Sequence, residues 1–252
     1  EAKYQVELKE KRERENKKKE YRGYEEQKTD RETRAIYKYS KTSDEMSIFL
    51  TGPILRAANE GVIFLKGKPG SGKSHLLADI ALNRKLEQVP TIFLLGEHFS
   101  TQLPKINIQQ FLCPTLTLEN YFRALESLAK AKQVRLLFII DAINEGPGKY
   151  IWKSSIAGLL KEWSQFKWIG FAISYRSTYE DIVMPDNLDA PLIDHNGFEG
   201  IEYEATKQFF EYYKIQQPTI PLLNPEFSNP LFLKTFCIAL NKAGKNTIPE
   251  GY

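Results

Sequence analysis

Gly67-Lys-Pro-Gly-Ser-Gly-Lys-Ser74 sets glycines, a lysine and a hydroxyl at the spacing G-x-x-x-x-G-K-S. Glycines there let backbone N–H groups turn inward around an anion, at φ values closed to residues carrying a Cβ. The lysine of such a loop reaches the β- and γ-phosphates of a nucleotide, and the hydroxyl ligates Mg²⁺. Gly67, Pro69, Gly70, Ser71, Gly72, Lys73, Ser74 and His75 are therefore the candidate phosphate contacts. Lys73 is also a catalytic candidate, and Ser74 a metal ligand. A second chemical element is Arg135-Leu-Leu-Phe-Ile-Ile-Asp141, five apolar residues closed by an aspartate. A carboxylate at the end of a buried strand can hold the shell of the same Mg²⁺. Glu145, four residues on, could polarise an attacking water or open a surface loop before Gly146-Pro-Gly148. Arg176 closes a further apolar run, Lys167 to Tyr175. It could stabilise charge on a γ-phosphate, or pair with Glu180 or Asp181.

These residues need a scaffold, and the hydrophobic pattern supplies one. Val62 to Leu65 reads as a strand entering the glycine loop, and His75 to Leu82 as an amphipathic helix leaving it. The helix N-terminus adds a partial positive charge of about half a unit behind the loop. Further strands are expected at 90–95, 135–141, 167–175 and 191–194, all short buried runs suited to a parallel sheet. Ligands of such sheets bind beyond the carboxyl ends of the strands, where Asp141 and Arg176 would lie. Helices are expected at 108–113, 117–132, 149–165, 203–213 and 229–240, the last with Pro230 in its first turn. A proline-rich loop covers 217–225. Ser43-Asp-Glu-Met46 reads as a helix start, interrupted at Gly52-Pro53 and resumed over 54–59. Trp152 and Trp163 read as packing residues, and His195, without a partner at catalytic spacing, as structural or solvent-facing.

Composition narrows the class. The 252 residues carry a net charge of +3, too small to argue for nucleic acid. Residues 1–40 hold 13 Lys/Arg against 10 Asp/Glu, an excess equal to that of the whole chain. Lys9 to Glu20 has i,i+4 charge pairs but almost no apolar stripe, which suits a solvated helical linker. Lys17-Lys-Lys19 with Tyr21 and Tyr24 leaves open an arm for nucleic acid or an acidic partner. Cys113 and Cys237 stand far apart and away from histidines, which argues against a disulfide framework or a zinc site and favours a reducing cytoplasm. No apolar run approaches the roughly 20 residues of a membrane helix. A first residue of Glu1 suggests a piece of something longer.

In order and spacing, Gly67–Ser74, Ile140-Asp-Ala-Ile-Asn-Glu-Gly146, Ile173-Ser-Tyr-Arg-Ser177, Asn196-Gly-Phe198 and Asn229-Pro-Leu-Phe-Leu233 resemble the STAND class of P-loop NTPases. Within it they resemble the NACHT-like ATPases of bacterial antiviral systems, over roughly residues 45–242. The resemblance implies an α/β three-layer sandwich with a five-stranded parallel sheet, the strand ending at Arg176 lying between the P-loop strand and the strand ending at Asp141. A small helical subdomain would follow, so the domains expected are a linker over 1–40, a nucleotide-binding domain over 41–200 and a helical domain over 201–252. It also implies Arg176 as a sensor arginine, Pro230 beside the adenine, and ATP or ADP with Mg²⁺ as cofactors. Such ATPases link an N-terminal effector to a C-terminal sensor. They pass from an ADP-bound monomer to an ATP-bound homo-oligomer when a trigger, here expected to be a phage protein, arrives. One departure matters: Asn144 stands where many NACHT proteins carry an aspartate, so any hydrolytic carboxylate should be Glu145. The winged-helix segment that contributes to the ADP-bound state in related proteins is also absent from the sequence.

Two other functions share the P-loop. A nucleic-acid motor or clamp-loader-like ATPase would hydrolyse steadily and be stimulated by DNA or RNA, whereas a switch would turn over slowly and answer its trigger. A GTPase has little support, because in Asn241-Lys-Ala-Gly244 the guanine-reading aspartate is replaced by Gly244.

Overall fold

The computed structural model describes residues 33–217 and 225–248. The expectations for the charged stretch before residue 33 and for most of the 217–225 loop fall outside these residues. The chain divides into two units, Glu1–Leu55 and Arg56–Tyr252, each described by itself. In the first, residues 33–51 form an exposed helix, α1. The helix start expected near Ser43 is therefore wrong: the helix already runs at residue 33. Nothing from Thr33 to Thr42 breaks it, and the Thr42 hydroxyl donates to the Lys38 carbonyl 2.9 Å away, inside the helix rather than as a cap. Gly52 ends it, and Pro53, whose missing N–H costs least in a first turn, opens α2 (Pro53–Glu60).

The second unit is built on five parallel strands: β1 (Val62–Gly67), β2 (Thr91–Leu95), β3 (Leu136–Asp141), β4 (Ile169–Arg176) and β5 (Leu192–Asp194). Their order is β2-β3-β4-β1-β5, so β4 lies between the glycine-loop strand and the Asp141 strand, as expected. Parallel sheets need cover on both faces, and side-chain alternation provides it. Val62, Phe64, Leu136, Phe138, Ile140, Phe171 and Ile173 face one core, with Phe122, Trp152 and Trp163. Leu65, Ile139 and Ala172 face the other, with Leu77. The helices concerned are α3 (Lys73–Leu86), α4 (Pro104–Leu112), α5 (Leu118–Lys132) and α6 (Trp152–Trp163). Trp152 and Trp163 are packing residues: Trp163 stacks on Phe171 with ring centroids 4.2 Å apart and an interplanar angle of 8°.

Helix α4 begins four residues before the expected 108. Asn107 holds its entry, its Oδ1 accepting from both the backbone N–H and the hydroxyl of Ser100 at 2.9 Å. After β4, a short helix α7 (Glu180–Val183) leads to β5. Then α8 (Glu202–Tyr213) and α9 (Pro230–Lys242) pack on a core of their own, containing Phe210, Phe227, Leu233 and Cys237. Asn229 caps α9, its Oδ1 accepting from the N–H groups of Leu231 and Phe232 at 3.0 and 3.2 Å.

Candidate functional site

Register decides which residues meet. Gly67, the last residue of β1, lies beside Arg176, the last of β4, and Leu95 beside Asp141. The glycine loop, the Asp141 turn and Arg176 therefore share one carboxyl edge of the sheet. The loop requires glycine at all three of its glycine positions, Gly70 with φ +77° among them. A Cβ on Gly67 would collide with the His195 carbonyl, and Gly72 holds φ +95° where the loop enters α3. Lys73 is buried, and its Nζ donates to the carbonyls of Gly67 at 2.8 Å and Lys68 at 3.1 Å, and to Ser71 Oγ at 3.4 Å. Burial and the Arg176 guanidinium hold the lysine below its ordinary pKa, and Asp141 opposes them.

A cavity of about 850 Å³ opens over this edge. Pro69, Gly70, Ser71, Gly72, Lys73, Ser74, His75, Glu145 and Arg176 line it, as does Pro230, which packs beside the loop, 3.6 Å from where a Cβ on Gly72 would lie. Two expected residues are not on its wall. Gly67 closes the turn behind the loop, and Asp141 is buried, its carboxylate accepting a hydrogen bond from the Ser174 hydroxyl. Ser74 and Asp141 offer a hydroxyl and a carboxylate, hard oxygens of the kind Mg²⁺ takes once or twice from protein before completing its shell with phosphate and water. The donor set fits that ion. Among the described residues no group of three His, Cys, Asp or Glu side chains could hold a metal without such help.

Arg176 pairs with Glu145, and with neither Glu180 nor Asp181, the partners that its spacing had left open as an alternative. Glu180 is engaged by Lys66 at 3.3 Å and by the Tyr175 hydroxyl at 3.1 Å. Both members of the Glu145–Arg176 pair are partly exposed on the cavity wall. Glu145 thus stands in the bend before Gly146-Pro-Gly148, partly exposed, and lines the cavity from there.

His195 takes the structural of its two expected places. It lines the cavity against the glycine loop, its backbone N–H donating to the Lys66 carbonyl at 2.6 Å. Burial and then the charge of Lys73 hold the imidazole below its ordinary pKa, and a hydrogen bond to the Ser71 backbone works the other way.

Five features escaped the sequence reading. Ser174 is fully buried and pins the turn after β3: its hydroxyl donates to Asp141 and accepts from the Ala142 N–H at 2.8 Å, and its carbonyl accepts from the Ile143 N–H at 3.0 Å. A lone hydroxyl in the apolar run Ile-Gly-Phe-Ala-Ile-Ser was its available signal. Ala142 itself takes the left-handed conformation, φ +57°, at some cost for a residue with a Cβ. Asn144 is buried, and its Oδ1 accepts from the Arg176 N–H at 2.9 Å. Part of the cavity lining is aromatic, with Phe198 edge-on to Phe209 at 5.7 Å and Phe209 stacked near Tyr213 at 6.3 Å. Asn229 Nδ2 and the Leu231 N–H donate to the loop carbonyls of Pro69 and Gly70, both at 3.2 Å, so α9 is tied to the glycine loop.

A profile of the NACHT domain matches residues 61–216. No curated protein matches the chain. Among solved structures, a Walker-type ATPase of Pyrococcus abyssi is similar over 76% of this chain and 65% of its own, at 14% identity and a TM-score of 0.49. AMPPCP-bound DnaA from Aquifex aeolicus is similar over 76% of this chain and 60% of its own, at 12% identity and a TM-score of 0.48. Cdc6p from Pyrobaculum aerophilum covers 74% of this chain and 57% of its own, at 15% identity and a TM-score of 0.41. The chain thus spans less than two thirds of the length of each of these proteins.

Proposed function

The chain belongs to the NACHT domain family of P-loop NTPases, and on that footing we propose that it is an ATP-binding, slowly hydrolysing switch whose nucleotide state sets its assembly. The observation that carries this reading is the cavity itself. The glycine loop with Lys73, the Glu145–Arg176 pair and residues of α8 and α9 all line it. A nucleotide seated there touches the sheet and the helical pair at once.

In this reading Lys73 and the loop N–H groups hold the phosphates, and Arg176 answers charge on the terminal one. Ser74 and Asp141 would hold Mg²⁺, which neutralises phosphate charge when bound. Glu145 orients and deprotonates the attacking water. While Glu145 pairs with Arg176 neither group is free, so a γ-phosphate that draws Arg176 away also releases the base. The aromatic side chains of α8 offer a stacking face for adenine beside Pro230. The two hydrogen bonds from α9 to Pro69 and Gly70 couple the loop to the helices. The switch would act in the cytoplasm, within a longer polypeptide carrying an effector and a sensor, with a phage protein as trigger. No helix among the described residues is long and apolar enough to cross a membrane.

The test is the mass of the intact protein by light scattering with a non-hydrolysable ATP analogue and with ADP. A rise in mass with the analogue alone supports the switch. Equal masses, together with ATP turnover stimulated by DNA or RNA, would replace it with a nucleic-acid motor.

A further inference from the structure

Among the described residues, Lys234 is the one charged side chain that α8 and α9 bring to the cavity lining. On α9 it follows Pro230 and Leu231, which also line the cavity, and the spacing i, i+1, i+4 sets all three on one face of the helix. The first turn of that helix is seated on the glycine loop. Asn229 Nδ2 and the Leu231 N–H donate to the carbonyls of Pro69 and Gly70, and the Pro230 ring packs 3.6 Å from where a Cβ on Gly72 would lie. Lys234 therefore stands one helical turn, about 6 Å, out from the loop along α9.

Local structure does not account for this ammonium. Lys234 is exposed, and among the described residues its side chain has no hydrogen-bond or ion-pair partner. Its neighbours at i±3 and i±4 are Pro230, Leu231, Cys237 and Ile238, none of them an acid. It lies in the second turn from the N-terminus of α9, the positive end of the helix dipole, where a cation gains nothing. The cations nearer the sheet are already engaged, Lys73 with the Gly67 and Lys68 carbonyls and Arg176 with Glu145. In a glycine loop the backbone N–H groups cradle the α- and β-phosphates, while the lysine reaches the β- and γ-phosphates. Because α9 packs on Gly70 and Gly72, within the cradling backbone, its own lysine comes to the α- and β-phosphates and not to the terminal one.

We propose that Lys234 is a phosphate ligand contributed by the helical pair: its ammonium donates to α- or β-phosphate oxygens of the bound nucleotide and holds α9 to it. This rests on the nucleotide reading above and adds to it a contact made from α9. A diphosphate and a triphosphate share those oxygens, so Lys234 serves both ligands alike, which sets it apart from Arg176.

The experiment is a set of binding isotherms, for a non-hydrolysable ATP analogue and for ADP, on the intact parent protein, Lys234→Met, Lys234→Arg and Lys73→Ala. Methionine keeps most of the stem and removes the charge, and arginine keeps the charge. Lys234→Met should lose about 5- to 20-fold in affinity for both ligands, less than a buried donor would, because solvent screens an exposed ammonium. Lys234→Arg should stay within about threefold of the parent, since a guanidinium also binds phosphate. A loss below about twofold in Lys234→Met, a loss confined to the ATP analogue, or the same loss in both variants overturns the proposal. If Lys73→Ala binds both ligands as the parent does, the nucleotide reading itself fails, and the two failures are thereby distinguished. Amine acetylation of the parent, read by mass spectrometry, tests the contact itself. ADP and the ATP analogue should each shield Lys234 from the reagent and leave Lys242, exposed at the other end of α9, unshielded. Equal labelling of Lys234 with and without nucleotide overturns the assignment.

Discussion

Ser174→Ala is the most informative single substitution, because one buried hydroxyl serves two partners. Its hydrogen bond to the Asp141 carboxylate is of the charged kind, worth about 1.5–3 kcal/mol. Its removal also leaves the Ala142 N–H, now satisfied at 2.8 Å, without an acceptor, at roughly 1–3 kcal/mol. The two losses share one turn and are not additive, and the methyl of alanine fills most of the space. We expect a net destabilisation of about 2–4 kcal/mol, or a fall in Tm of about 4–16 °C for a domain of this size. Urea unfolding followed by tryptophan fluorescence reads it directly, since Trp152 and Trp163 lie in the main core. Nucleotide affinity in the presence of Mg²⁺ should fall as well, because the Asp141 carboxylate loses the group that orients it. A change in stability below about 0.5 kcal/mol, the scatter of ordinary surface substitutions, would refute the clamp.

Glu145→Gln should keep ATP affinity within a few-fold and slow hydrolysis by about 10²–10⁴ in single-turnover assays; unaltered turnover would remove Glu145 from the chemistry. Trp163→Ala removes a ring stacked on Phe171 in the main core and should cost about 3–5 kcal/mol in urea unfolding, with a loss below about 1 kcal/mol contradicting the packing described. His195 has a folded pKa below its ordinary value of 6.5, so the unfolded chain takes up its proton first. Stability from the neutral imidazole is present above that value and is lost as pH falls through the range down to the folded pKa. Melting temperatures from pH 8 to pH 5 should therefore show a smaller acid-side decline in His195→Gln than in the parent, and identical profiles would count against a half-buried, neutral imidazole.

The sheet was legible because each strand is a short apolar run ending in a residue of another kind, and parallel strands covered on both faces look that way. The glycine loop was legible because its chemistry restricts every position. The strand order followed from the resemblance and not from any strand's own pattern. What stayed hidden depended on meetings between distant segments. Ser174 reads as one polar residue in a strand until β4 is set beside the turn after Asp141. His195, without a partner at catalytic spacing, could be structural or solvent-facing, and only the fold shows that its neighbours in space belong to the glycine loop. The aromatic residues of α8 show helical spacing for a core, and Phe210 is indeed buried there, while Phe209 and Tyr213 turn to the cavity. Ala142 sits in a left-handed turn that its side chain gives no reason to expect. Pairing ambiguities were likewise settled by topology, since β4 carries Arg176 toward Glu145 and leaves Glu180 to Lys66.

The central claim is that this cavity binds a nucleoside triphosphate through the glycine loop. It is tested most directly by titrating a fluorescent ATP analogue into the intact protein and into Lys73→Ala. Saturable binding by the parent and a loss of about 100-fold or more in the variant are the result the site predicts, since a buried, charged donor would be removed from the phosphates. Equal affinity in the two proteins would contradict it.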